Sequence, residues 1–277
     1  AKQINLSDLL LAISATGDKL PNKSLSSEMK GSVQIDADRQ SVQANLAGGL
    51  LQSQVKAKFA LNGFNNPAIR YDLDIDQLDV DPYLPKKPAA TAKAETAAAP
   101  EQPFDLSGLR KLNVEGGLRI GKLKVANIQS AQVRVDVKAH NGQINVSPLS
   151  ANLYQGSVSG SIALNAAQKV PGFTVKQELD GVEIGPLLKD VLNLDMLEGK
   201  GNVDLNLSTQ GNTVSALKKG LNGSAALNLA DGSVKGINIA KKLREFGGRG
   251  GDQTAAANKG EKTDFSEMKA SFKIKNG

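Results

Sequence analysis

Three groups of side chains in this sequence have types and spacings that could do chemistry. Asp72, Asp74, Asp76, Asp79 and Asp81 form the densest carboxylate run. Paired carboxylates can act as acid and base on a glycosidic bond, and spaced oxygen donors can hold calcium. The first three alternate with other residues, so on a strand they share one face and repel one another. No glycine follows at the position a calcium loop needs, and no glutamate closes the set, so the run reads as a solvated face. His140 is the one histidine, and it sits in "HNGQ", where Asn141 and Gly142 are turn formers and no nucleophile or orienting carboxylate is near in sequence. With one His and no Cys, the chain has no transition-metal cluster. "GGRGG" at 247 to 251 follows a helical signal and does not open one, so it lacks the helix end that would hold a phosphate. No catalytic residue, metal ligand or cofactor is assigned, and the chain is expected to work without catalysis.

The elements around these residues are strands. Apolar and polar residues alternate with period two: Val55, Phe59 and Leu61; Leu73 and Ile75; Val133, Val135 and Val137; Phe173 and Val175; Val203, Leu205 and Leu207. The intervening positions carry Asp72 and Asp74, Arg134 and Asp136, or Asp204 and Asn206, the pattern of an antiparallel sheet wetted on one side. Asn-Gly in "HNGQ" and Asp-Gly in "ADGS" at 230 to 233 predict tight hairpins, with looser turns at "LNGF" and "STQGN". Short helices are predicted for "NLSDLLLAIS" at the start, for "GPLLKDVLNLDML" with Pro186 at the first helical position, for "TVSALKKGL" with Thr213 as cap and Gly220 as stop, and for "INIAKKLREFGG".

Composition narrows the class further. Aromatics make up 4% of the chain and there is no Trp, whereas Val, Ile and Leu recur throughout, which suits a sheet-rich protein. The formal charge is +6, but lysines such as Lys56, Lys58, Lys122, Lys124 and Lys176 stand singly among apolar residues. Nucleic-acid binding would require clustered cations and stacking aromatics, and neither is present. The same charge would draw the chain to anionic membrane headgroups. No apolar run reaches 18 residues, and "DLLLAISA" is too short to span and has no basic stretch before it, so the chain is expected to be soluble as it stands. It reads as a piece of a longer protein.

Residues 86 to 103, rich in Ala, Pro and Thr, predict a flexible linker between a first β-repeat segment at 1 to 85 and a second, with helices, at 104 to 246. A mobile loop is expected at 247 to 263, then the terminal strand of a truncated continuation at 264 to 277. The two segments repeat one another. "LLQSQVKAKFALN" with "YDLDIDQLDVDPYL" aligns to "LYQGSVSGSIALN" with "VKQELDGVEIGPLL", pairing Val55 with Val158, Leu61 with Leu164, Leu73 with Gln177 and Pro82 with Pro186. Such units bury their faces by stacking on their neighbours. The expected fold is therefore all-β with short flanking helices: an elongated, curved, mostly antiparallel sheet of some 14 to 16 strands, at about 4.8 Å per strand, with an apolar groove. Residues expected to line the groove are Val55, Phe59, Leu61, Leu73, Ile75, Val133, Val135, Val137, Phe173, Val175, Val203, Leu205 and Leu207. An aliphatic trough suits acyl chains better than polar ligands. An open sheet edge would alternatively suit a scaffold that pairs with partner proteins.

"FDLSGLRKLNVEGGLRIGKLKVANI", "GQINVSPLSANLYQGSVSGSIALN", "LDGVEIGPLL" and "LEGKGNVDLNLSTQG", with "LKKGLNGSAALNLADGSVKGINIAKKLR" after them, together resemble the C-terminal region of the AsmA family of Gram-negative envelope proteins. The resemblance covers almost the whole chain, most clearly residues 104 to 246, and is sharpest in "DGSVKGINIAKKLR". It implies a periplasmic protein anchored in the inner membrane by a segment absent here. It also implies similarity to bridge-like lipid-transfer proteins, whose long β-sheet groove moves phospholipid and supports outer-membrane assembly. Phospholipids would be the ligand, with inner- and outer-membrane proteins as further partners. The family brings no catalytic motif.

Overall fold

The computed structural model describes residues 2–17, 24–50, 52–84, 101, 103–236 and 262–277. Thirteen strands form one open, curved sheet whose spatial order is the chain order. They are β1 Gln3–Thr16, β2 Ser24–Asp36, β3 Ser41–Leu50, β4 Ser53–Asn62, β5 Ala68–Asp79, β6 Asn113–Val125, β7 Ile128–His140, β8 Gln143–Leu153, β9 Gly156–Asn165, β10 Gly172–Glu183, β11 Leu197–Gln210, β12 Asn222–Lys235 and β13 Lys262–Ile274. Two helices, α1 Ile184–Leu192 and α2 Val214–Lys219, join β10 to β11 and β11 to β12.

Turn chemistry explains most of the meander. Between β7 and β8, Asn141 at φ 50° and Gly142 at φ 78° occupy the two left-handed positions of a two-residue hairpin, where Asn and Gly carry little steric penalty. "LNGF" also turns as expected, with Gly63 at φ 80° between β4 and β5. The repeat appears as two matching β–β–helix units: β4 and β5 run into a 3-10 turn at Asp81–Tyr83, and β9 and β10 run into α1.

The two units continue differently. β11 returns antiparallel beside β10, but β6 lies parallel to β5, from Ile69 opposite Val114 to Asp79 opposite Lys124. A parallel neighbour requires the chain to regain the far end of the sheet, about 40 Å for a twelve-residue strand. The described ends of this connection lie at opposite sheet edges. Tyr83 donates its N–H to Val80 at the end of β5, and Val80 in turn bonds Lys124. Glu101 accepts from the Ser215 N–H at 3.0 Å and Phe104 donates to Asn212, both at the far edge. From there Arg110 donates through Nε to the Ala166 carbonyl at 2.8 Å, guiding the chain to the start of β6. Of the linker expected at 86 to 103, only Glu101 and Pro103 are among the described residues; residues 237 to 261 also lie outside them.

Two expectations change. "NLSDLLLAIS" lies within β1, not in a helix: paired with β2, its apolar residues meet Ile35, Val33 and Met29, and a register irregularity between Leu6 and Leu9 brings both halves of the apolar pattern to one side. "ADGS" makes no hairpin, because Asp231 at φ 48° is an irregularity inside the continuous β12, where β11 and β13 satisfy the backbone on both sides. The described strands number thirteen. "INIAKKLREFGG" lies outside the described residues.

Register shifts recur, with the extra residue on β1, β7, β8, β10 or β12. An extra residue on one strand bends it and tightens the local twist, so repeated shifts curl the sheet. In β10 and β12 they coincide with left-handed residues, Gly181 at φ 61° and Asp231 at φ 48°. Tyr71 lies over Gly116 on the parallel neighbour, where a Cβ would stand 2.6 Å from the ring, so glycine makes room for the aromatic ring.

The tightest core lies under α1. Val182, Ile184 and Leu229 are buried there, flanked by Leu187 and Leu188 from the helix and by Leu179, Val203 and Leu227 from the sheet. Pro186 stands in the first turn of α1, where its missing N–H has no helical acceptor to serve, and Asn193 closes the helix at φ 55°, donating to Leu188 and Lys189. Thr213 caps α2 by accepting from the Ala216 N–H at 3.2 Å.

Leu229 is 0% exposed and Leu10 is 56% exposed. Leu229→Ala should lower the unfolding free energy by about 3 kcal/mol, whereas Leu10→Ala should change it by no more than about 0.5 kcal/mol. Urea unfolding of the two variants checks this, and equal effects would mean that the packing under α1 contributes no more than the open face.

Candidate functional site

Directly opposed residues on neighbouring strands point to the same side of a sheet, so the register assembles the alternating apolar positions into rows. One row runs Val55, Ile75, Ile120, Val133. A second runs Ala57, Leu73, Leu118, Val135, Leu149, Gly160, Gln177, Leu205, Ala225, Phe272. A third runs Phe59, Tyr71, Gly116, Val137, Val146, Ile162, Val175, Leu207, and a fourth joins Leu61 to Phe173 through Ile69, Val114, Ala139, Ile144 and Leu164. Val203 stands between Leu179 and Leu227.

The rows therefore bring the thirteen expected lining residues into one cross-strand array. Val55 and Val133 are buried, Phe59 is exposed, and the others are half-buried. α1 packs over the array at β10 to β12. Ile120, Val182 and Ile184, which do not stand out in the sequence, belong to the same apolar surface and core; the alternation in "VEGGLRIG" already marks the first of them. At the free side of the sheet, Ile4, Leu6, Leu11 and Ile13 continue it with 36–55% of their surface exposed.

Gln177 breaks the second row. It occupies the position that Leu73 holds in the first repeat, its side chain lies over Gly160, and its amide nitrogen is buried without a hydrogen-bond partner among the described residues.

A cavity of about 1400 Å3 opens at the edge where β5 and β10 end, with lining drawn from β2 through β11. Nine strand spacings would separate β2 from β11 by about 43 Å in a flat sheet, so a shared cavity requires the sheet to curl. Adjacent residues such as Lys122 with Leu123 and Asn152 with Leu153 both contribute, which places the cavity at the rim. No local sequence signal foretells it, because its residues meet only through curvature. Beside it, the Tyr154 hydroxyl donates to Asp190 of α1 at 2.6 Å; burial and this hydrogen bond push the Tyr154 ionisation upward.

The other face carries charges in register. Asp74 and Asp72 lie opposite Lys56 and Lys58 on one side, and Arg119 reaches them from the other, donating to Asp74 at 2.6 and 3.2 Å and also to Asp72. Asp76 accepts the N–H groups of Gln54 and Gln77 at 2.7 Å; at the cavity rim, Lys124 bridges Asp79 at 3.1 Å and Asp81 at 3.3 Å. The carboxylate run is thus bound to cations and amides of adjacent strands, more ordered than the solvated face expected of it. His140 at the end of β7 contacts Asn113 and Asn141 through its two ring nitrogens.

Comparison with known families matches the model of the AsmA family over residues 3–277, and the chain belongs to that family. No curated protein and no solved structure matches it. Among the described residues no helix is long and apolar enough to cross a membrane.

The paired aspartates and the lone amide both bear on stability. The Arg119 hydrogen bonds, against a smaller opposing effect of burial, hold the Asp74 carboxyl below its ordinary value of 3.8. A depressed carboxyl contributes stability above its unfolded pKa and loses it as pH falls through the folded one. Arg119→Gln should therefore be less stable than the parent at pH 7, with the gap narrowing below about pH 4, as urea midpoints across pH would show. Gln177→Leu removes a buried unpaired amide and should raise the unfolding free energy by about 1 kcal/mol; a loss of stability would mean that the amide has a partner in solution.

Proposed function

We propose that this AsmA-family chain binds phospholipid without catalysis, its acyl chains lying along the apolar rows, and that it serves phospholipid transfer in support of outer-membrane assembly. The observation that carries the reading is the set of four in-register apolar rows, crossing up to ten strands and only partly covered by α1. Apolar surface left in water costs about 25 cal/mol per Å2, and a contiguous patch of this kind is characteristic of a binding surface. The lining is aliphatic and offers burial with few directional hydrogen bonds, which fits acyl chains of varied length. Family membership is consistent with such a role. In this reading the protein works in the periplasm and is held to the inner membrane by a segment outside this sequence.

A second reading draws on β1. Its 14 residues have no strand on their outer side among the described residues, and Ile4, Leu10 and Ile13 are 48–56% exposed. Such an edge is suited to strand addition by a partner protein.

Native mass spectrometry with lipid extraction, on protein purified without added detergent, separates the two. Co-purifying phospholipid in defined stoichiometry is expected. Val135→Asp and Leu205→Asp should each lower it at least tenfold while circular dichroism stays that of a folded sheet. A folded protein free of lipid, or capture unchanged in both variants, would overturn the lipid reading in favour of the β1 edge.

A further inference from the structure

The rim cavity holds three charged side chains with no hydrogen-bond or ion-pair partner among the described residues: Lys122 on β6, Asp180 on β10 and Lys200 on β11. Lys124 and Asp79, also in its lining, neutralise each other at 3.1 Å. Lys200 extends over Gly181, where a Cβ would stand 3.6 Å from its Cε, so a cation lies beside the residue next to the Asp180 carboxylate. Lys122 contributes to the same lining from β6. Between them, Asn152 and the Ser157 hydroxyl add neutral hydrogen-bonding groups. Leu123 and Leu153 join the lining, and so does Ser53, two residues from Val55 at the end of the first apolar row.

We infer that this cavity seats the headgroup of a phospholipid bearing a primary ammonium, with the phosphate between Lys122 and Lys200 and the ammonium on Asp180; the inference rests on the lipid reading above. A phosphodiester carries one negative charge and accepts hydrogen bonds from two lysine ammonium groups, each charge-assisted. A headgroup without an amine would leave the Asp180 carboxylate beside the phosphate unmatched, a like-charge contact that selects against it. A quaternary ammonium has no N–H to donate to Asp180. The pattern of two cations and one anion thus matches a phosphoethanolamine group better than a phosphoglycerol or phosphocholine group.

The intact, delipidated chain is incubated with vesicles holding diacyl phosphatidylethanolamine and phosphatidylglycerol in equal amounts and identical chains, then re-isolated for lipid counting. Diacylglycerol and water-soluble glycerophosphoethanolamine form separate arms. The parent protein should be enriched in the ethanolamine lipid. The double variant Lys122→Gln/Lys200→Gln should capture about tenfold less of both phosphate lipids, since a charge-assisted hydrogen bond accounts for about a factor of ten, with diacylglycerol capture unchanged. Asp180→Asn should lose the preference between the two phospholipids and keep their total. Unchanged capture and preference in both variants, with Val135→Asp still abolishing capture, would overturn the headgroup assignment and leave the acyl-chain reading standing. Failure of the parent to take up any lipid, diacylglycerol included, would overturn the acyl-chain reading itself. If glycerophosphoethanolamine bound without displacing lipid, the cavity would be a site for a soluble phosphate ester, and its assignment to the lipid would fall.

Discussion

Backbone hydrogen bonding between neighbouring strands is the interaction on which the rest of this molecule depends. In a two-layer domain the opposing layer helps to hold each element in place, but here thirteen strands succeed one another in one open sheet and the two helices cover only part of it. Each strand is held mainly by the two beside it. The register of those ladders therefore decides which side chains share a face, and a slip of one residue would invert a strand's entire pattern. The cross-strand partners satisfy this condition over ten consecutive strands, so the apolar rows are a direct consequence of the register.

Curvature comes from the irregularities in those ladders. A twisted ladder without them would spread its strands into an open propeller-like ribbon. Extra residues at Leu6–Leu9, in β7 and β8, at Gly181 and at Asp231 bend individual strands while leaving their neighbours paired. Because each bend is local, the backbone remains satisfied, and strands that a flat sheet would hold far apart come to line one rim. The parallel β5–β6 pair imposes a further constraint: the chain between them must pass from one edge to the other. It is secured on arrival by Glu101 at the N-terminus of α2 and by Arg110 at the β9–β10 turn.

The two faces solve different problems with the same alternation. On one, Arg119 pairs with Asp72 and Asp74 across strands, which keeps a densely charged surface compatible with close strand spacing. These pairs are about half exposed and act more on register and local order than on overall stability. On the other, small and aliphatic residues make a continuous apolar surface across the strands. The sites where this division fails, such as Gln177 in a row of aliphatics, are costs visible in the structure.

The sequence by itself determined the strands, their polar and apolar faces, the Asn141–Gly142 hairpin, the repeat and the family resemblance, because each depends on local periodicity, turn stereochemistry or the order of motifs. It also marked the helices α1 and α2 through Pro186, Thr213 and Gly220. Only the tertiary structure decided that "NLSDLLLAIS" is an edge strand, since its leucines satisfy a helix as well as a bulged strand until β2 supplies a partner. Only the tertiary structure decided that Asp231–Gly232 bends a strand without reversing it, that β5 and β6 run parallel, and that Lys122, Asp180 and Lys200 share a cavity. Pairing partners, crossover direction and curvature are sums over many residues far apart in the chain, and no local window of sequence contains them.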